Sequence, residues 1–199
     1  MDSNDRVTLK IRRCQHYKAV VVRSQSVVIK ATCVIRLLLT ACSRLYRMER
    51  CVVQGVSFMI WDVGGQDRVR PLWRSYTRAA DGMVFVVDSA DSERMEEARV
   101  ELARVARTRE GTGVPLLVIA NKQDLPRAHS AVDVERLLGV AELRRGSTAA
   151  GAAGGRSCCV RPACAITGDG LDEALEQLYQ MIRARRRAEK HQRAKARKR

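Results

Sequence analysis

From residue 56 onward the apolar positions fall into two alternating patterns. Val56-Ser57-Phe58-Met59-Ile60-Trp61 is a short β-prone run that stops at Asp62-Val63-Gly64-Gly65. Gly82-Met83-Val84-Phe85-Val86-Val87-Asp88 and Val114-Pro115-Leu116-Leu117-Val118-Ile119-Ala120 are nearly continuous apolar runs. Such runs suit parallel strands buried on both faces. Between them, Ser92 to Arg107 carries Met95, Ala98, Val100, Leu102, Val105 and Ala106 at helical spacing among charges, with Ser92 as the expected cap. Ser130 to Leu138 reads as a short helix with Val134, Leu137 and Leu138 on one face. Residues 146–157, rich in Gly, Ala and Ser, read as a loop insert. Cys158 to Cys164 is a short strand interrupted at Arg161-Pro162. Leu171 to Ile182 is a helix striped by Leu171, Leu175, Leu178 and Ile182. Strand–helix alternation predicts an α/β fold, a mostly parallel sheet flanked by helices. Ligands of such sheets sit beyond the carboxyl ends of the strands.

The polar clusters fall just there. After the first strand comes Trp61-Asp62-Val63-Gly64-Gly65-Gln66. An Asp at a strand tip can hold Mg²⁺ through water, a Gly N–H can meet a terminal phosphate, and a Gln can orient an attacking water. Asn121-Lys122-Gln123-Asp124 follows the strand that ends at Ala120. The Asp124 carboxylate can accept two N–H bonds from a guanine edge, Lys122 can lie over the base, and Asn121 can tie neighbouring loops. After the last strand, Cys164-Ala165-Ile166-Thr167 offers a backbone amide to the guanine carbonyl. Each cluster alone is a common turn; their order and their places after buried strands make them informative together.

Charge changes the picture at the two ends. The chain has 199 residues and a net charge of +15. Residues 183–199 hold ten Lys/Arg and one Glu, and residues 1–55 hold eleven Lys/Arg and three acids. The middle is nearly neutral, which argues against nucleic-acid binding across the domain surface, and aromatic residues are too few for base-stacking platforms. The tail residues Arg183, Arg185, Arg186, Arg187, Lys190, Arg193, Lys195, Arg197, Lys198 and Arg199 suit acidic lipids or import receptors, or simply solubilise the chain. The seven cysteines show no disulfide or metal spacing, and His16, His129 and His191 have no ligand partners at useful spacing. Arg23, Lys30 and Arg36 break the most apolar early stretch, so no membrane span is expected there.

The second-switch-like run Trp61 to Tyr76, Thr77-Arg78, the stretch Asp81 to Ser89, Glu93 to Ala98, Ala120 to Pro126 and Cys164 to Leu171 together resemble ADP-ribosylation-factor GTPases. The subgroup they resemble is ADP-ribosylation factor-like protein 4, over residues 56–199 apart from the insert. The resemblance implies a P-loop-NTPase-like fold acting as a GTP/GDP switch in membrane recruitment, trafficking and cytoskeletal signalling. It implies GTP/GDP and Mg²⁺ as cofactors, with Asp62 on the Mg²⁺ side. Gly65 would sense the terminal phosphate, Val63 and Gly64 would also bind nucleotide, and Gln66 would be catalytic. Asn121, Lys122, Gln123 and Asp124 would read guanine, supported by Cys164 and Ala165. It further implies a monomer, an effector such as a cytohesin-type exchange factor, and residence at the cytoplasmic face of the plasma membrane, in the cytosol or in the nucleus and nucleolus.

The first 55 residues break the pattern. A GTPase of this kind needs a strand and then GxxxxGK[ST], whose glycines let backbone N–H groups wrap the phosphates. Residues 1–54 contain no glycine. The nearest mimic is a strand at Ala19-Val20-Val21-Val22 and a loop from Ser24 to Ala31 around Lys30, with β-branched Ile29 in a glycine position. The expected organisation is a basic, poorly structured segment 1–55 with the first strand, P-loop and helix absent or replaced. A partial GTPase domain 56–182 and a polybasic tail 183–199 follow it. GTP hydrolysis is expected to be impaired. Either residues 1–55 are of different origin from an otherwise intact C-terminal part, or the protein is a divergent pseudo-GTPase adaptor.

Overall fold

The structure is a computed structural model. It describes residues 17–25, 46–53, 56–63, 80–107, 113–145 and 157–197. Among these, the elements run β1 (Tyr17–Gln25), β2 (Tyr46–Val53), β3 (Val56–Val63), β4 (Gly82–Asp88), α1 (Met95–Arg107), β5 (Leu116–Asn121), α2 (Ala131–Leu137), α3 (Val140–Arg145), β6 (Cys158–Pro162) and α4 (Leu171–Ala196). The strands form one sheet in the order β2-β3-β1-β4-β5-β6.

The core follows from the two-residue period of the central strands. Every residue of β4 and β5 is buried. Val84, Val86, Leu117 and Ile119 face one layer, where Leu171, Ala174, Leu175, Leu178 and Ile182 of α4 cover them. Met83, Phe85, Val87, Leu116, Val118 and Ala120 face the other, against Met95, Ala98 and Leu102 of α1 and Val134 of α2. Full burial of each large side chain contributes ~1.5–3 kcal/mol. The predicted stripe of α4 is therefore the seam that closes one face. Gly82 sits under that helix, where an added Cβ would stand 3.0 Å from the Leu178 and Ile182 methyls.

Two helix ends differ from the sequence reading. The first helix starts at Met95, because the Ser92 hydroxyl lies 2.8 Å from His129 Nε2 while Asp91 Oδ1 accepts the Arg94 N–H. Ser130 does cap α2, accepting the Asp133 N–H at 3.1 Å. The last helix does not stop at Ile182 but continues through the basic tail to Ala196. Its basic part is held at its root: Arg186 Nη2 donates to Asp81 Oδ1 at 2.8 Å, and Arg183 lies over the Tyr179 ring. No helix among the described residues is long and apolar enough to cross a membrane.

Strand direction separates two parts of the sheet. β4, β5 and β6 are parallel to one another. β1 is antiparallel to both of its neighbours, with Tyr17 opposite Val87, Val22 opposite Gly82 and Gln25 opposite Ser57. β2 is antiparallel to β3. The α/β class stands, but parallel pairing is confined to β4–β6. The expected replacement of the first strand takes a specific form: β1 fills the slot between β3 and β4 and runs the other way.

Candidate functional site

Register places the chemistry. Asp88 closes β4 beside Asn121, which closes β5, and Ala120 pairs with Pro162 at the end of β6. The three strands thus deliver their following loops to one end of the sheet.

The loop after β5 is tightly made. Lys122 has φ 66°, the left-handed region that a lysine rarely enters, and its C=O accepts the Leu125 N–H at 3.0 Å. Such conformations persist where surrounding bonds over-determine them, often at binding loops. Here the bonds are many. Lys122 Nζ is paired with Asp88 Oδ2, and Asp88 Oδ1 accepts the Ala90 N–H at 3.0 Å. The Gln123 N–H reaches Ala163 O, and Gln123 Nε2 donates to His129 O at 3.0 Å. The Ser89 N–H donates to Asn121 O, and the His129 N–H to Ser89 O.

The loop after β6 is tied to the same place. Buried Asn121 accepts the Ala165 N–H through Oδ1 at 2.9 Å. Cys164 Sγ donates to Asp124 Oδ1 at 3.2 Å, while Asp124 itself is exposed. Gly170, at φ 75°, lets α4 start directly against β6; a Cβ there would stand 2.4 Å from Pro162 O. The arrangement presents an exposed carboxylate, a buried carboxamide and a backbone amide from two loops at one end of the sheet. A planar heterocycle with two adjacent N–H donors matches the carboxylate. The Ala165 amide is already engaged by Asn121, so an arriving carbonyl oxygen must share that N–H or displace the Asn121 oxygen.

Asn121, Lys122, Gln123, Asp124, Cys164 and Ala165 are thus brought together. Asp62 and Val63 lie at the end of β3, where Asp62 pairs through its backbone with Val20 and Arg47. Gly64, Gly65 and Gln66 lie outside the described residues, as do Lys198 and Arg199 of the tail. The sequence reading missed Asp88 and His129. Asp88 looked like an ordinary strand tip and His129 like an isolated histidine, and only the pairing of distant loops reveals their connections.

An α/β sheet with these loops at its carboxyl tips defines the small-GTPase class of fold. The model of the ADP-ribosylation factor family matches residues 20–182, and the chain belongs to that family. It is 51% identical over 135 residues to human (Homo sapiens) ADP-ribosylation factor-like protein 4D, covering 68% of this chain and 63% of that protein. It is 49% identical over 140 residues to the human 4A protein, covering 70% and 66%, and 45% identical over 142 residues to human 4C, covering 71% and 69%. The chain therefore spans just under two thirds of the 4D and 4A relatives. The Arl6 BBS3 small GTPase from Trypanosoma brucei, solved with the nucleotide analogue GppNp, shares the fold at TM-score 0.64. It is 24% identical, with 73% of this chain and 83% of that one covered. The family match reaches back to residue 20, well before the boundary at 56 expected from the motifs.

Proposed function

We propose that the protein is a guanine-binding member of the ADP-ribosylation-factor-like class that acts in membrane recruitment, trafficking and cytoskeletal signalling. The observation that carries this is the joining of the two base-reading loops through Asn121 Oδ1 and the Ala165 N–H. Asp124 would accept the guanine N1–H and N2–H, Lys122 would cover the ring, and the Ala165 amide would meet the carbonyl. The basic part of α4, a row of exposed Arg and Lys beyond Ile182, would hold the domain at acidic lipids or be read by import receptors. The second-switch run Arg70 to Tyr76 would face an effector such as a cytohesin-type exchange factor.

Members of this family bind GTP or GDP with Mg²⁺. Asp62, at the end of β3, would be the Mg²⁺-side residue, and the hydroxyl that would share the ion belongs to a phosphate loop. β1 leaves the sheet at Gln25, at the end opposite the base-reading loops. Among the described residues, no element at the guanine end supplies a phosphate cradle. This favours a second reading, a non-enzymatic adaptor, over a GTP/GDP switch that turns over.

Titration of the purified chain with a fluorescent GTP analogue, beside Asp124→Asn, tests the base reading. Removing the carboxylate is expected to weaken binding at least about tenfold. Equal binding by both proteins refutes it. GTP turnover above the buffer rate would refute the adaptor reading and restore the switch.

A further inference from the structure

β4 and β5 end side by side, with Asp88 level with Asn121. Asp88 is buried, and one of its carboxylate oxygens accepts the Ala90 N–H at 3.0 Å. The other meets Lys122 Nζ, on a side chain that is 20% exposed. Among the described residues, Lys122 is also the one non-glycine residue at positive φ, a backbone in which a lysine is strained. Its carbonyl accepts the Leu125 N–H at 3.0 Å and so closes a turn around Gln123 and Asp124. The exposed Asp124 carboxylate therefore rides on a turn that begins at the strained residue. A change of φ at Lys122 moves Asp124 relative to Cys164, whose Sγ donates to its Oδ1 at 3.2 Å.

The geometry points to Asp88 as the positioning residue of this loop: its carboxylate fixes Lys122 in the left-handed turn and so sets where Asp124 stands. This rests on the base reading proposed above and extends it to a buried residue on the neighbouring strand. An ammonium as little exposed as that of Lys122 is costly without a counter-charge. Without Asp88 it must move into water, and the left-handed backbone then loses the bond that holds it against its strain. The neighbouring bonds do not replace that one. The Gln123 N–H reaches Ala163 O and its Nε2 reaches His129 O, so they hold Gln123 and leave the Lys122 side chain to Asp88. The pinned ammonium also leaves the methylene stem of Lys122 as the part on which a planar base can lie.

The test compares the native full chain with Asp88→Asn and with the double variant Asp88→Asn/Lys122→Asn. Asparagine at 88 keeps an acceptor for the Ala90 N–H, and at 122 it tolerates the left-handed backbone and leaves no unpaired charge. Amide hydrogen exchange reads the loop without a ligand. In Asp88→Asn the Leu125 amide is expected to exchange at least about tenfold faster, with Val118 in β5 unchanged. In the double variant Leu125 is expected to return to within about threefold of the native rate. Equilibrium dialysis against guanosine and adenosine is expected to follow the same order, with guanosine bound about tenfold more weakly by Asp88→Asn and partly restored in the double variant. Leu125 exchange that is unchanged in Asp88→Asn, or as fast in the double variant as in the single one, overturns the inference, because Asp88 then acts through Ala90 or not at all. Guanosine binding that survives Asp88→Asn in full overturns it too. If Asp88→Asn alone does not fold, the double variant decides: one that also fails to fold, or leaves Leu125 unprotected, overturns the inference. Guanosine bound no better than adenosine by the native chain overturns the base reading, and the exchange rates still decide the role of Asp88.

Discussion

From β4 to α4 the strands run one way, each is followed by a helix or a structured loop, and the polar residues gather at their carboxyl tips. From β1 to β3 the strands alternate in direction, so one end of that half carries a strand's entry beside another's exit. The first half can build a ligand site from loops that all arrive at the same edge. In the β1–β3 part only β3 ends at that edge, while β1 and β2 leave the sheet at the opposite one. Filling a slot in a sheet satisfies backbone hydrogen bonding whichever way the strand runs. Function, in contrast, depends on direction.

The largest effects should come from cutting the seam between the halves. Val20→Pro removes a ladder N–H from a strand flanked by β3 and β4, at the row pairing Val20 with Asp62 and Val84. A proline there loses a ladder hydrogen bond and is tolerated essentially only at sheet edges or bulges, so chemical denaturation should show a large loss of stability. A small effect would mean that β4 to α4 stand without β1. Leu117→Ala, in the core of the parallel half and fully buried, should cost ~2–5 kcal/mol by the same measurement. Gly170→Ala should cost ~1–3 kcal/mol through its clash with Pro162 O, and should weaken guanosine binding because it moves the loop that carries Ala165.

What the sequence made legible divides along the same line. The runs Gly82–Asp88 and Leu116–Ala120, and the stripe Leu171, Leu175, Leu178 and Ile182, announced their own burial, since periodicity is a local property. The loops Asn121–Asp124 and Cys164–Ala165 were legible because their residue types and positions after strands state their chemistry. The run Ala19–Val22 was legible as a strand, yet a valine run reads the same in both directions, so its reversal could not be seen. Lys122 with Asp88, 34 residues apart, and Asn121 with Ala165, 44 apart, depend on sheet register. The helical course of residues 183–196 was hidden because like charges disguise a segment whose helix is nucleated upstream by the packed stripe.

The smallest effect belongs to α2. Ser130→Ala removes the cap that accepts the Asp133 N–H, a loss of about 1 kcal/mol. The Ser130 hydroxyl's hydrogen bond holds the Asp133 carboxyl below its ordinary value. A depressed folded value means the contribution is present above the unfolded value and is lost as pH falls through the folded one. The difference in stability between the native chain and Ser130→Ala should therefore shrink in acid. A difference constant down to strongly acid pH would show that the Ser130–Asp133 bond does not act through the charge.

The direction of β1 carries the whole account, and cross-strand proton contacts in an isotope-labelled sample measure it directly. Antiparallel pairing brings Cα protons of opposed residues close in alternate rows, so contacts should join β1 and β4 in the order Tyr17–Val87, Ala19–Phe85, Val21–Met83 or the intervening rows. Contacts whose numbers rise together, with Tyr17 near Gly82 and Val22 near Val87, would mean a parallel β1. They would put the loop after β1 back at the guanine end and contradict the account.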